Sequence, residues 1–536
     1  MITVKNPNQR DIFDPWDHLT PKQRHLLDTG WPGLFREHIL ASIPVGKVAK
    51  FFDPTCGRPT KELFAMLGAL ILQQILDLTD DETVRQYSLD TQWHFALNIV
   101  ERSDTARYMS HKTLWNNRNI VSSNHLEDEI FNAGAARLAE VFNVNTDKQR
   151  IDSVHIKSNM RRLGRIGIFS NSIHKFLVNL KRSRPDQYVA VDPKVADRYL
   201  SKKAMQCFSM VKPSESRKTL TEVSRDLFDL VEQFKHNRDV SAMYSFKLLE
   251  RVLQEQCNLT EDKKEPVALK TPKQIPSNSL QNPSDPDASY SGHKGQGYQV
   301  QVMETFSDDE TQKKNALNLI THVQVEPAHN SDAKAITPAI ESVEKRGLKP
   351  KELSADTLYG SDDNREQAKQ HDVELIAPSM GQSQGEGLSL EDFRFSEKGQ
   401  IAACPQGNAP AKVRKKKRAS IGFDMKHCES CRHRPGCPVK KGKKYYYLRF
   451  TDKEMRLAKR RIYERSEQFK DRYRWRAGVE ATMSEYNQRT GVKRLRVRGL
   501  KAVRFCATIK ALGVNIFRAA AHRAAQMGAQ QGLCMA

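Results

Sequence analysis

Long apolar runs are scarce in this chain. The longest nearly unbroken one, Leu63 to Leu72, gives way to Gln73 and Gln74, about half the ~20 residues that a spanning helix requires. No membrane partner is expected. The opening residues, MITVKNPNQRD, hold no apolar h-region, which reads against a secretory signal. Cysteine is sparse, 9 in 536 residues, too few for a disulfide-stapled secreted scaffold, so a reducing, cytoplasmic compartment is the expectation. Acidic residues are in deficit, 64 Asp+Glu against 87 Lys+Arg, for a formal charge of +23. With 38% hydrophobic and 28% charged residues the composition is globular, neither collagenous nor wholly disordered. The length allows about three domains.

The basic excess is confined. From Ala411 to Arg518 there are 33 Lys+Arg and 9 Asp+Glu, and the rest of the chain, with 54 basic and 55 acidic residues, is nearly neutral. A polyanion held against such a stretch releases condensed counterions, which gives salt-sensitive binding largely blind to sequence. A charge run is more often only a solubilising surface. Here the confinement, with Tyr445, Tyr446, Tyr447, Tyr473 and Trp475 in the same stretch, favours nucleic acid as the partner. An anionic membrane fits less well, because the basic helices lack a large apolar face.

Residues 1–125 read as helical. LFAMLGALILQQIL forms a buried helix ended by Asp77 to Asp81, Thr83 to Ile99 continues with helix-spaced aromatics, and Ser110 caps a further helix. This region is either a bundle that only packs or a module that recognises DNA ends. Arg150 to Ile156 (RIDSVHI) alternates as a short strand, and 170–260 reads as helices. Asn258 to Ser291, with five prolines, reads as an exposed connection. Strands are expected at Gly297 to Thr305, Leu319 to Glu326, just before Asp356, and at Val373 to Ala377. Helices are expected at Asp332 to Lys345 and Asp362 to Gln370. That order predicts an α/β fold with a mixed sheet. Arg394 to Arg449 is Cys-rich and basic, and Asp452 to Arg518 reads as helix broken near Gly491 and Gly499.

Four cysteines fall within a short span: Cys404, Cys428, Cys431 and Cys437. Zinc takes four soft ligands at tetrahedral corners, and a Cys-x2-Cys knuckle supplies two from one tight turn. His427 or His433 can replace one thiolate; the alternative is a set of unrelated reduced thiols. Four Cys ligands leave no open coordination position, so the site is read as structural. Cys56, Cys207, Cys257, Cys506 and Cys534 have no ligand spacing and read as core or free thiols.

Cutting or joining a phosphodiester calls for hard cations on carboxylate oxygens. Three residues suit that task by position. Asp152 lies inside a strand, where Asp is disfavoured; Asp356 closes a strand before a helix; Glu480 lies in the predicted helix RYRWRAGVEATMSEYNQRTG. On that helix Tyr473, Arg476, Glu480 and Asn487 share one stripe. Arg476 can hold the Glu480 carboxylate from one turn away, although such pairs are also common on ordinary helix surfaces. Among 64 acidic residues, composition alone does not single out a triad.

In order, these blocks resemble the bacterial insertion-sequence transposases with a DDE catalytic domain. Asp152 in RIDSVHIKSN resembles the family's first Asp, Asp356 in ADTLYGSDDN the second, and Glu480 the Glu of a Tyr-x2-Arg-x3-Glu signature. DPDASYSGHKGQGYQVQV is similar to the stretch before the next strands, and the Cys-rich insertion resembles that of one branch. The resemblance implies an RNase H-like (retroviral-integrase-like) core. Its parts would be a helical DNA-end-binding region at 1–125, a first core part at 148–390 with a helical insertion at about 170–260, a zinc insertion at 391–450, a helical part at 451–520 carrying Glu480, and a tail at 521–536.

It further implies that Asp152, Asp356 and Glu480 hold two Mg2+ (or Mn2+) ions. Tyr473 and Arg476 would orient the DNA end, and a homodimer would pair two ends of double-stranded DNA in a bacterial cytoplasm, on the nucleoid when bound. One departure is Asn487, where the signature has Lys; the contact to the DNA end then falls to Lys493 or Arg494. The rivals are an RNase H-like nuclease that cuts without joining, and a DNA-binding protein with a decayed site.

Overall fold

The alternation of RIDSVHI becomes strand β1 (Lys148–Lys157), which runs past its sequence signal at both ends and buries Ile151, Val154 and Ile156. This computed structural model describes residues 1–7, 13–201, 208, 210–262, 265–311, 315–381, 387–396, 399–414 and 418–535, with side chains as far as 528. Cys207, the side chain of Cys534 and the lysines at 415–417 lie outside the described residues.

After β1 come β2 (Ser289–Ser291), β3 (Gly295–Thr305), β4 (Ile320–Pro327), β5 (Glu352–Ala355) and β6 (Glu374–Ile376). β1 pairs antiparallel with β3, which pairs antiparallel with both β4 and β2 on its far edge. On its other side β1 pairs parallel with β5, and β5 with β6. The result is one mixed sheet with β1 at its centre.

The helices carry the other half of the core. α1 (Leu63–Ile75) begins at Glu62, whose carboxylate accepts from the N–H groups of Phe64 and Ala65, and it is buried nearly all round, as expected of a helix with no polar face. α2 (His111–Ser123) and α3 (Leu126–Val141) follow. The insertion folds as α4 (Arg165–Ser183), α5 (Ser216–Phe234) and α6 (Tyr244–Gln256) around its own core of Phe169, Phe176, Phe234 and Phe246. α7 (Ile336–Glu344) joins β4 to β5, and α8 (Asp362–Gln370) joins β5 to β6. α9 (Asp452–Glu464), α10 (Val479–Thr490) and α11 (Leu500–Met535) complete the chain. α11 packs on α1, α3 and β4, so the N-terminal helices and the sheet share one apolar core. Lys510 sits buried in that seam, its ammonium 2.7 Å from Asp77 Oδ1 and donating to the carbonyls of Gln74 and Thr490.

Between α8 and α9 a small sheet forms from β7 (Lys412–Arg414), β8 (Ala419–Asp424), β9 (Lys440–Lys441) and β10 (Tyr445–Phe450), ordered β7-β8-β10-β9. It has a separate core of Ile421, Phe423, Tyr446, Leu448 and Phe450. Among the described residues no helix is long and apolar enough to cross a membrane.

Two local expectations are corrected. The 258–291 stretch is not simply exposed: Leu280, Asn282, Asp285 and Ala288 are buried. Asp285 accepts from Ser158 Oγ at 2.6 Å, from the Tyr298 hydroxyl, and from the Gly499 N–H at 2.9 Å, which satisfies a buried carboxylate at the start of α11. The helix expected to run unbroken through 472–491 is interrupted at Arg474–Gly478, where the chain tightens into a 3-10 turn. At its end, position 478 is open to glycine for a reason across the site: a Cβ there would stand 2.1 Å from the Arg150 guanidinium.

The first turn of α3 yields a pH prediction. Burial, with neighbouring Glu127 and Glu129, pushes the half-buried Asp128 carboxyl up to about 6 against the opposing pull of Arg504 and His125. A carboxyl raised on folding stabilises the fold while protonated, and that stability is lost as pH rises through the folded value. Asp128→Asn is therefore expected to melt with wild type near pH 4 and to be more stable by roughly 2 kcal/mol above about pH 7. Thermal unfolding across that range checks it, and equal melting at both ends would refute it.

Candidate active site

Ile151 of β1 faces Ala355 of β5 in the parallel register, so the next residue on each strand, Asp152 and Asp356, emerges side by side. Asp356 also caps the turn after β5, its carboxylate accepting from the Thr357 N–H at 2.5 Å. Glu480 reaches the same place from the opening turn of α10. One guanidinium joins them. Arg476 lies 2.6 Å from Asp152 Oδ2, 3.5 Å from Glu480 Oε1 and 3.9 Å from Asp356 Oδ2. The three side chains are graded from 19% exposed at Asp152 through 39% at Asp356 to 73% at Glu480.

Charge of one sign is crowded here. Burial raises the Asp152 carboxyl above its ordinary value, Arg476 opposes that, and Asp356 and Asp332 add to it. Burial likewise raises the Tyr473 phenol, with Arg476 opposing and Asp356 and Asp152 adding. Tyr473 is stacked on Phe469 at 5.4 Å. Carboxylate oxygens are hard donors to a divalent cation, and the guanidinium between them shows that a positive charge is accommodated where they meet. The donors are of the type the divalent cations implied by the family resemblance take, although among the described residues the three do not bring their oxygens all within 4.8 Å of one another.

Several supporting residues left no signal in the sequence pattern. Glu304 on β3 is wholly buried; its carboxylate holds Arg150 at 2.7 Å, Arg518 at 3.0 Å and the Thr482 hydroxyl at 2.5 Å. Arg150 also donates to the Trp475 carbonyl at 2.7 Å. A strand residue two before Asp152, a helix residue two after Glu480 and the carbonyl next to Arg476 are therefore tied together. Behind Asp152, Lys294 reaches Ser153 Oγ at 2.7 Å and Asp332 at 2.9 Å, and Gln301 links Asp332 to the Tyr359 hydroxyl. Arg150, Ser153, Lys294, Gln301 and Tyr359 lie in the blocks that carry the resemblance, whereas Glu304 and Asp332 do not.

Lys493 and Arg494 lie on an exposed turn after α10. Asn487 does not project as a cation would: its side-chain oxygen accepts from the Lys493 N–H at 3.3 Å.

Cys404, Cys428, Cys431 and Cys437 line one small pocket at the end of the β7–β10 sheet, with His427 and His433 at its wall. Burial pushes the Cys428 thiol up to about 11, with Cys437, Cys404 and Cys431 adding to it. Sulfurs that resist ionisation beside one another are those a soft divalent cation would hold as thiolates, so the donors fit zinc. Among the described residues no three of these sulfurs lie within 4.8 Å of one another.

Comparison with known proteins bears on both ends of the chain. Residues 403–520 match a family model described as a transposase DDE domain. Residues 18–119 match one described as a transposase domain (DUF772). Both matches support an insertion-sequence DDE transposase. A search of the curated proteins found no match. The DDE match contains the four cysteines, Arg476 and Glu480, whereas Asp152 on β1 and Asp356 just after β5 lie outside it. The second match contains α1 and the first nine residues of α2.

Proposed function

We propose that this transposase cleaves DNA at the terminal repeats of its element and transfers the freed strand end into target DNA, with Asp152, Asp356 and Glu480 as the catalytic carboxylates. The sheet would then be an RNase H-like core, a reading its strand order and its mixed parallel and antiparallel pairing support. One observation carries the proposal: acidic side chains from β1, from the cap just after β5 and from α10, far apart in sequence, all lie within ion-pair reach of a single guanidinium.

Two Mg2+ or Mn2+ ions held by these carboxylates would lower the pKa of the attacking oxygen and neutralise charge on the leaving one. The chain's own part is positioning and electrostatics. Asp152 is fixed by its strand, Asp356 by its cap, and Glu480 by the ties that Arg150 and Thr482 make to Glu304. With a cation held by the carboxylates, Arg476 would be available to a DNA phosphate beside Tyr473, and the exposed Lys493 and Arg494 would add contacts to the DNA end. The basic 411–518 stretch would follow the DNA backbone and set register without reading bases. Zinc at the four cysteines would hold the insertion, and a homodimer would pair two ends.

The test is joining. With Mg2+, a labelled terminal-repeat oligonucleotide is expected to appear covalently linked to plasmid. Release of the labelled strand without joining would make the protein a nuclease, and neither event would make it a binding protein. Zinc has its own test: Cys431→Ser, or chelation, is expected to melt the 394–450 segment first, seen as an early unfolding transition with loss of bound metal. An unchanged profile in a protein with no metal would refute the structural site.

A further inference from the structure

The β7–β10 sheet sorts its side chains by face. Ile421, Phe423, Tyr446, Leu448 and Phe450 point into the small core. Cross-strand partners share a face, and the pairings set Lys412 opposite Gly422, Gly422 opposite Tyr447, and Tyr447 opposite Lys440 in one row. A parallel row runs Arg414, Ser420, Arg449. Asp424, paired with Tyr445, is the carboxylate on this face, and it is occupied in capping the Lys426 N–H at 2.8 Å. Lys412, Arg414, Lys440 and Arg449 are exposed and carry no ion pair to a carboxylate of the described residues.

The two tyrosines are built into that face. A Cβ on Gly442 would stand 2.6 Å from the Tyr447 ring, and one on Gly422 would stand 3.3 Å from it. Glycine on both sides thus makes room for the ring to lie across the sheet. Tyr445 meets it edge-on at 6.2 Å, and the Arg449 guanidinium sits 5.7 Å from its centroid. Both rings are half-buried, with part of their surface open on this face; a duplex keeps its base faces stacked inside and has nothing to offer such a ring, whereas an unpaired strand offers every base face. We propose that this face is a platform for unpaired DNA, with bases stacked on Tyr447 and Tyr445 and phosphates on Lys412, Arg414, Lys440 and Arg449. The inference rests on the DNA-processing reading above and goes beyond backbone tracking by the basic region. The platform also has a rigid link to the catalytic sheet. β10 runs directly into α9, whose Arg456 pairs with Asp362 of α8 at 2.6 Å, and α8 follows Asp356.

The full-length protein is to be titrated against a fluorescein-labelled oligothymidylate and against a labelled duplex. In the Tyr445→Leu/Tyr447→Leu double variant, affinity for the single strand is expected to fall about tenfold, with duplex affinity held within about twofold. Tyr447→Phe, which keeps the ring, is expected to bind the single strand as wild type does. Lys412→Gln/Arg414→Gln is expected to lower the salt dependence of single-strand binding by roughly 1.4 in log–log slope. Unchanged single-strand affinity in the double leucine variant would overturn the platform, as would an equal loss for both probes. So would an unaltered salt slope in the glutamine variant. If the joining assay succeeds while these tests fail, the platform alone is wrong; a wild-type protein that binds neither probe brings down the DNA reading with it.

Discussion

Asp152→Asn is expected to abolish cleavage of terminal-repeat DNA, a loss on the order of a thousandfold or about 4 kcal/mol of barrier, while DNA affinity stays close to wild type. The argument is electrostatic. Asparagine fills the same space on β1 but removes the charge that a divalent cation needs. Ionised Asp152 is disfavoured in the fold by burial and by Asp356 and Asp332, so the neutral replacement should hold or raise thermal stability. A drop in activity with an unchanged or higher melting temperature separates a chemical role from a packing role. Glu480→Gln makes a second arm, because at 73% exposure its side chain contributes little packing to lose. Cleavage and binding are measured together on the same labelled duplex. If both fall in parallel, or if either variant still cuts, these carboxylates are not catalytic.

How much of this was legible in the sequence varies with range. Local signals read well: Asp362–Gln370 is a helix over the span its pattern indicates, and Gly491, at φ 65°, ends α10. Periodicity placed β1, β3 and β4 within a few residues of their bounds. The misreadings occur where a distant partner decides. Pro, Ser and Asn made 258–291 look solvated, yet Asp285 is buried because Ser158, Tyr298 and Gly499 supply its donors from three other places in the chain. The helical stripe through Tyr473, Arg476 and Glu480 had no way to register Arg150, which occupies the space a Cβ on Gly478 would need. Glu304 and Asp332 were invisible for the same reason: one acidic residue in a strand or turn looks like another until its cations are known.

That same buried network leads to the second large effect. Glu304→Gln is expected to destabilise the protein by about 3 kcal/mol, because it strips the carboxylate from the Arg150 guanidinium, 9% exposed, and one of two from Arg518, 15% exposed, which keeps Glu485 at 2.8 Å. Removing the cations as well should reverse most of that loss. The triple variant Arg150→Met/Glu304→Leu/Arg518→Met replaces buried charge with apolar volume, an exchange that is often neutral or stabilising. Function should not return with stability. Without Arg150 the Trp475 carbonyl loses that donor, and without Glu304 the Thr482 hydroxyl loses that acceptor, so the Arg476–Asp152 pair is left to hold Arg476 and Glu480 against β1 with less support. Catalysis of phosphoryl transfer depends on such placement, and cleavage should fall by roughly a hundredfold, with rate affected more than DNA affinity. Denaturant unfolding and single-turnover cleavage distinguish the outcomes. A triple variant that cuts at the wild-type rate would reduce the network to packing; a Glu304→Gln protein within about 1 kcal/mol of wild type would mean its two arginines find water or other partners when the carboxylate is gone.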